Sequence, residues 1–227
     1  MKIAAIHQPQ YVPYLGFFHK LAHADVLVVL DTVQFQKNGL QNRNKIKSAK
    51  GWQWLTVPVS HGHDSKILDV QIGDHGKFAR KHWSTLQSNY GRAPHFAWAA
   101  ERLRPVLEAT WTHLSPLNIQ LARVACELLE IKAPHVLASD LPSEGESSAL
   151  LISLCKAVGA DAYLSGPGGR GYMDLDLFER AGIQVLWQEF VPPTYPQVFP
   201  EAGFVPNLSI LDILFNCGEA ARGFLAR

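Results

Sequence analysis

Apolar residues in this chain follow two rhythms, short continuous runs and longer stretches spaced at three and four, and the rhythms alternate along its length. Lys2–Ile6 is a short apolar run broken by His7-Gln8-Pro9, which predicts a buried strand ending in a turn. From Val12 to His23 the positions Tyr14, Leu15, Phe17, Phe18 and Leu21 recur at helical spacing, so a helix is expected there with Pro13 in its first turn. Asp25–Asp31 encloses the run Val26-Leu27-Val28-Val29-Leu30, rich in β-branched residues and read as a second buried strand. Strand, helix and strand within about thirty residues make a βαβ unit, which implies a parallel sheet.

The pattern then changes twice. Asn38-Gly39 and Ala49-Lys50-Gly51 are turn signals, and Gln41–Lys47 with Trp52–Val59 predicts an antiparallel hairpin, an arm inserted into the parallel fold. From Lys77 to Glu130 the spacing is helical, with helices expected near Lys77–Ser88, His95–Ala109 and Ser115–Leu129. Alternation then resumes. His135–Ala138 is a strand, and Ser143 with Glu146 resembles a capping box before a helix over Ser147–Val158. Asp161–Leu164 is a strand, Asp174–Ala181 a helix and Ile183–Trp187 a strand, and Asn207 is expected to cap a last helix ending at Cys217. The fold class that follows is α/β: a Rossmann-like parallel sheet with an inserted β-hairpin arm and a helical block over about 77–130, within one domain spanning 1–227.

Composition narrows the functional classes. Of 227 residues, 47% are hydrophobic and 18% charged, enough for a substantial core. A formal net charge of +1 supplies no global field for nucleic acid or an anionic membrane. No signal-peptide pattern opens the chain and no apolar run has the length of a membrane span, so a cytoplasmic location without membrane insertion is expected. Cys126, Cys155 and Cys217 are widely spaced in apolar helical contexts and read as reduced thiols.

In open parallel sheets, ligands bind outside the carboxyl ends of the strands. Beyond the first strand lie His7, Gln8, Gln10 and Tyr11; beyond the second, Asp31, Thr32 and Gln34; beyond Asp161–Leu164, the run Ser165-Gly166-Pro167-Gly168-Gly169-Arg170-Gly171-Tyr172. All three sets are polar and would share one sheet edge. His7 suits a general base, or a donor to an oxyanion or phosphate, and Asp31 would orient it or accept from a ligand hydroxyl. The amides of Gly166, Gly168 and Gly169 could form an anion nest, with Arg170 adding charge and Ser165 and Tyr172 completing the loop. That loop has neither the Walker spacing nor a Gly-x-Gly-x-x-Gly fingerprint. The arm is basic, since no acidic residue stands between Asp31 and Asp64. Its Asn42, Arg43 and Asn44 suit hydroxyls and phosphates, and Trp54, with Trp52, suits stacking. The bland alternatives are a histidine at a strand end, a wide glycine turn and a solvated hairpin. His61-Gly62-His63-Asp64 looks like a metal fragment, but no second cluster completes a coordination sphere, so no metal site is expected.

Several stretches together carry a family resemblance. His7-Gln8-Pro9-Gln10-Tyr11-x-Pro13-Tyr14-Leu15-Gly16-Phe17-Phe18-His19-Lys20 resembles the opening of WbqC-like family proteins. Asp31-Thr32-Val33-Gln34-Phe35, Gln41–Ile46, Gly51–Val59, Tyr163–Arg170 and Pro206–Asp212 are similar too, so the resemblance covers nearly the whole chain. Thr32 departs from it, standing where an acidic residue is expected beside Asp31. The resemblance implies a place among bacterial surface-polysaccharide (O-antigen) biosynthesis proteins and transfer of a glycyl or other acyl group to an amino sugar. It carries no catalytic residues over. The reading it favours is a transferase moving an aminoacyl or acyl group to a nucleotide-linked sugar or other anionic sugar substrate. The donor is left open among acyl-coenzyme A, a carrier-protein thioester and a nucleotide. A nucleotidyltransferase is one alternative, although the second histidine of the HxGH pattern is absent. A non-catalytic ligand-binding protein is another. Nucleic acid is not the expected partner, and helices near Trp83, Trp98 and Trp111 could carry a homodimer surface or belong to the core.

Overall fold

The computed structural model describes residues 1–226, the His75 side chain apart. In chain order the elements are β1 Ile3–His7, α1 Leu15–Ala22, β2 Val26–Val29, β3 Arg43–Ser48, β4 Gly51–Thr56, β5 Val59–Ser60, β6 Gln71–Ile72, α2 His75–Tyr90, α3 Phe96–Glu108, α4 Leu114–Leu128, β7 His135–Leu137, α5 Ser147–Ala157, β8 Ala162–Ser165, α6 Leu175–Arg180, β9 Gln184–Trp187 and α7 Ile210–Cys217. They form two compact units. The first comprises Met1–Gln8, His19–Val33 and Lys132–Val191; the second comprises Pro9–Phe18, Gln34–Ile131 and the chain from Pro192.

The first unit is built on a parallel sheet of order β7-β2-β1-β8-β9. Counted within this unit, the strands run third, second, first, fourth, fifth, the doubly wound Rossmann-like order, so the expected α/β class is what the chain adopts. The direction of winding switches between β1 and β8. On one side β1 keeps register with β2 from Ala4–Val26 to His7–Val29; on the other it pairs with β8 only at Ile3–Ala162 and Ala4–Tyr163. Toward their carboxyl ends, β1 and β8 therefore part. The strands are continuous apolar runs because both faces are covered, and all of β2 is buried. One face, Ala4, Ile6, Val26, Val28 and Tyr163, packs with Leu151, Leu154 and Cys155 of α5 and with Phe178 of α6.

The second unit holds the expected hairpin, with β3 and β4 in register from Arg43–Thr56 to Ser48–Gly51. Gly51, at φ 103°, supplies the backbone conformation that its tight turn requires. The helical block is here as well, with α3 packed against α2, α4 and α7. No helix among the described residues is long and apolar enough to cross a membrane.

Three local expectations are corrected. Helix α1 begins at Leu15, not Val12: Val12 has φ 39° and Tyr14 forms a bridge with Ser209. The Tyr14 ring folds back so closely that a Cβ on Gly16 would lie 2.4 Å from it, which accounts for the glycine. The capping box before α5 does not form, because Glu146 is the N-cap without a side-chain bond and Ser147 sits at φ 50°. Helix α7 is capped by Ser209, whose Oγ accepts the Leu211 N–H at 3.1 Å, whereas Asn207 lies in the preceding turn at φ 55°.

Candidate functional site

Within the first unit, His7 ends β1 and Ser165 ends β8, so the two strands that flank the winding switch terminate in polar residues. His7 Nδ1 lies 2.9 Å from the Gln8 carbonyl oxygen. A carbonyl only accepts, so Nδ1 carries the ring proton and the lone pair is on Nε2. Burial, reinforced by the Lys20 charge and opposed by the Gln8 bond, pushes the His7 pKa down to about 3. The imidazole is thus neutral at physiological pH, in a fixed tautomer.

Lys20 is the unusual group at this edge. It sits on α1, is only 6% exposed, and forms no ion pair with a carboxylate among the described residues. Burial lowers its pKa to about 8, so at neutral pH it still carries its charge. Its Nζ lies against the backbone where β8 ends: a Cβ on Gly166 would sit 3.3 Å from it. Near the same glycine is Gln188, whose amide is 3.2 Å from His19 Nδ1; Gln188 and His19 are both nearly buried. A buried cation without a counter-ion is costly, and such a charge is normally matched.

The glycine-rich segment is not the anion nest its composition suggests. Pro167–Gly171 forms a short 3-10 turn, and Gly166, Gly168, Gly169 and Gly171 all lack the positive φ values on which a nest depends. The glycine at 169 answers crowding instead, since a Cβ there would meet Ser165 Oγ at 2.3 Å and Met173 Sδ at 2.8 Å. Ser165 is buried and its hydroxyl donates to the Gly166 carbonyl at 3.2 Å. Arg170 lies over the Trp187 ring at 4.5 Å, and Gly168 and Tyr172 are exposed. Asp31 does not orient His7: its two oxygens accept from the Ser139 backbone N–H at 3.1 Å and the Ser139 hydroxyl at 2.8 Å, tying the end of β2 to the segment after β7.

The remaining expected residues belong to the second unit, and most are engaged internally. Tyr11 is fully buried, its hydroxyl 2.8 Å from His82 Nδ1. Asn44 is buried too. Its amide donates to the Tyr11 and Val12 carbonyls at 3.3 and 2.9 Å, holding the strained Val12 against the hairpin. Asn42 closes the hairpin base by donating to the Val57 carbonyl at 3.0 Å, and Gln34 donates to the His63 carbonyl at 3.0 Å. Arg43 donates to the Asn38 carbonyl and lies over Trp54 at 4.3 Å, with Trp54 itself exposed. Among the described residues no three His, Cys, Asp or Glu side chains gather as metal ligands.

Sequence reasoning gave no role to Lys20, His19 or Gln188. The signal for Lys20 was present: it stands three residues after the buried Phe17 and beside the buried Leu21, a charge within the apolar part of a short helix.

Comparison with known proteins agrees with the resemblance. The model of the WbqC-like protein family matches residues 8–223. A Mycobacterium tuberculosis protein described as uncharacterized, Rv1507c, is 36% identical over 228 residues, covering 99% of this chain and 98% of that protein. No solved structure matches.

Proposed function

The chain belongs to the WbqC-like protein family, and on that premise we propose that it is a transferase moving an acyl or aminoacyl group to the amine or hydroxyl of an anionic, nucleotide-linked sugar. The observation that carries this reading is the uncompensated Lys20 ammonium at the carboxyl edge of the sheet, beside a neutral histidine. A substrate phosphate or carboxylate seated against Lys20 supplies the missing counter-charge. It also offsets the Lys20 charge that adds to burial in keeping a proton off His7, so the imidazole is more basic when substrate is bound than in the free protein.

In the transfer step, His7 Nε2 takes the proton from the attacking amine or hydroxyl. The new bond forms to the acyl carbon, the bond from that carbon to the donor breaks, and His7 returns the proton to the departing donor atom. Gln8 holds the imidazole in the tautomer this requires.

Calorimetry with uridine diphosphate amino sugars, followed by turnover with acetyl-coenzyme A or aminoacyl thioesters, tests the scheme. Lys20→Met should weaken sugar-nucleotide binding at least tenfold, the cost expected for losing a charge-assisted contact. His7→Gln should keep binding while turnover falls by about two to four orders of magnitude. Unchanged affinity in Lys20→Met would remove the anion seat, and full turnover in His7→Gln would leave a ligand-binding protein without this base.

A further inference from the structure

The second unit carries a cavity that the sheet edge does not use. Its volume is about 650 Å³, within the range of small-molecule sites, and strand β4 and helix α2 line it. The apolar part of its wall is Leu55, Pro58, Phe78 and the indole of Trp54. Trp54 is 38% exposed, with the Arg43 guanidinium 4.3 Å from its ring centroid.

Most polar groups of the wall are committed or are donors, apart from the Gln53 amide and the second oxygen of Asp74. His82 uses both ring nitrogens, one with the Tyr11 hydroxyl and one with the Thr56 carbonyl. The Thr85 hydroxyl donates to the Lys81 carbonyl at 2.8 Å, and Asp74 caps α2 by accepting the Lys77 N–H at 3.0 Å. Lys77 and Lys81, one helical turn apart and exposed, have no ion-pair partner among the described residues. An aromatic wall beside two unmatched ammonium groups, with a guanidinium on the aromatic ring, complements a ligand that is aromatic at one end and multiply anionic at the other.

We infer that this cavity is a binding site for a nucleoside phosphate, with the base against Trp54 and the phosphate between Lys77 and Lys81. The site lies wholly within the second unit, so it stands or falls separately from the reading of Lys20.

Quenching of tryptophan fluorescence by AMP and UMP, with adenosine and inorganic phosphate as controls, tests it. Both nucleotides should bind saturably and more tightly than either control. Trp54→Leu should weaken binding by about tenfold, the scale of one stacked base. The double variant Lys77→Gln with Lys81→Gln should weaken it at least as much and flatten its salt dependence. Lys156→Gln, at an exposed lysine of the first unit, should leave it unchanged, and circular dichroism of each variant separates lost binding from lost fold. Absence of binding at millimolar nucleotide, equal binding of inorganic phosphate, or binding that follows Lys20 instead of Lys77 and Lys81 would each overturn the assignment.

Discussion

Asp212 and Lys20 are both ionisable groups taken out of water, and their surroundings treat them in opposite ways. Asp212, fully buried in the second unit, receives Tyr90 Oη on one oxygen at 2.8 Å, and Tyr195 Oη at 2.8 Å and Gln197 Nε2 at 2.9 Å on the other. Burial raises its pKa while those three donors pull it down. The network extends further, because the Lys47 N–H donates to Tyr90 Oη at 2.7 Å. Lys20 has nothing comparable. The contrast separates a charge that the fold surrounds with hydrogen bonds from one that has no ion-pair partner among the described residues. Asp212 fastens α7, β3 and the segment around Tyr195 within the second unit.

The contrast is broken most directly at Asp212. Asp212→Leu leaves two tyrosine hydroxyls and a carboxamide without their acceptor, and should destabilise by about 3–5 kcal/mol in urea denaturation, the usual cost of removing one side of a buried charged network. A loss below about 1 kcal/mol would show that the network is not the fastening it resembles. Lys20→Met should act in the opposite direction. A fall in pKa from 10.5 to about 8 corresponds to a native-state penalty of roughly 3 kcal/mol. The methionine variant should therefore be more stable at pH 7 while losing its anion. Below pH 8 both native and unfolded chains hold the Lys20 proton, and the penalty is present in full. Between about 8 and 10.5 the native chain releases the proton first, so the Lys20 penalty fades and wild-type stability rises relative to Lys20→Met. Equal stability of the two proteins at pH 7 would mean that Lys20 has an internal partner after all.

The frame of the molecule was legible in the sequence because apolar rhythm alone encodes it. The runs at β1, β2, β8 and β9 and the first hairpin strand β3 are found within one or two residues of where the pattern puts them, while β4 ends at Thr56, three residues before the expected Val59. Helix starts were less legible. At Val12–Tyr14 apolar periodicity runs on into a segment whose backbone is fixed by non-local bonds from Asn44 and by pairing with Ser209. The candidate site was half legible. Strand-end logic finds His7, but polarity near a strand end cannot tell a hydroxyl facing a ligand from one facing the next carbonyl, as Ser165 does. Nor can it show that Asp31 is bound to Ser139, a partner far along the chain. Lys20 was hidden by the habit of reading lysine as solvated, although its place among Phe17, Phe18 and Leu21 argued otherwise.

The smallest expected effect tests a third arrangement, a buried polar pair that is complete without charge. His82 donates from Nε2 to the Thr56 carbonyl at 2.9 Å and accepts the Tyr11 hydroxyl on Nδ1, with its pKa pushed down to about 4 chiefly by burial. Because the folded pKa lies below the unfolded value of 6.5, His82 contributes stability above that pH and loses it as pH falls toward about 4. Tyr11→Phe leaves the Nδ1 lone pair buried and unmatched, at a cost of about 1–2 kcal/mol near neutral pH. It also frees that nitrogen to take a proton, so stability should fall less steeply from pH 6.5 to 4 than in the wild type, as read from Tm across that range. If Tyr11→Phe instead left the Tm curve unchanged and abolished turnover, Tyr11 would belong with Lys20 among the groups that meet a ligand, and burial with a satisfied hydroxyl would no longer serve to tell structure from site.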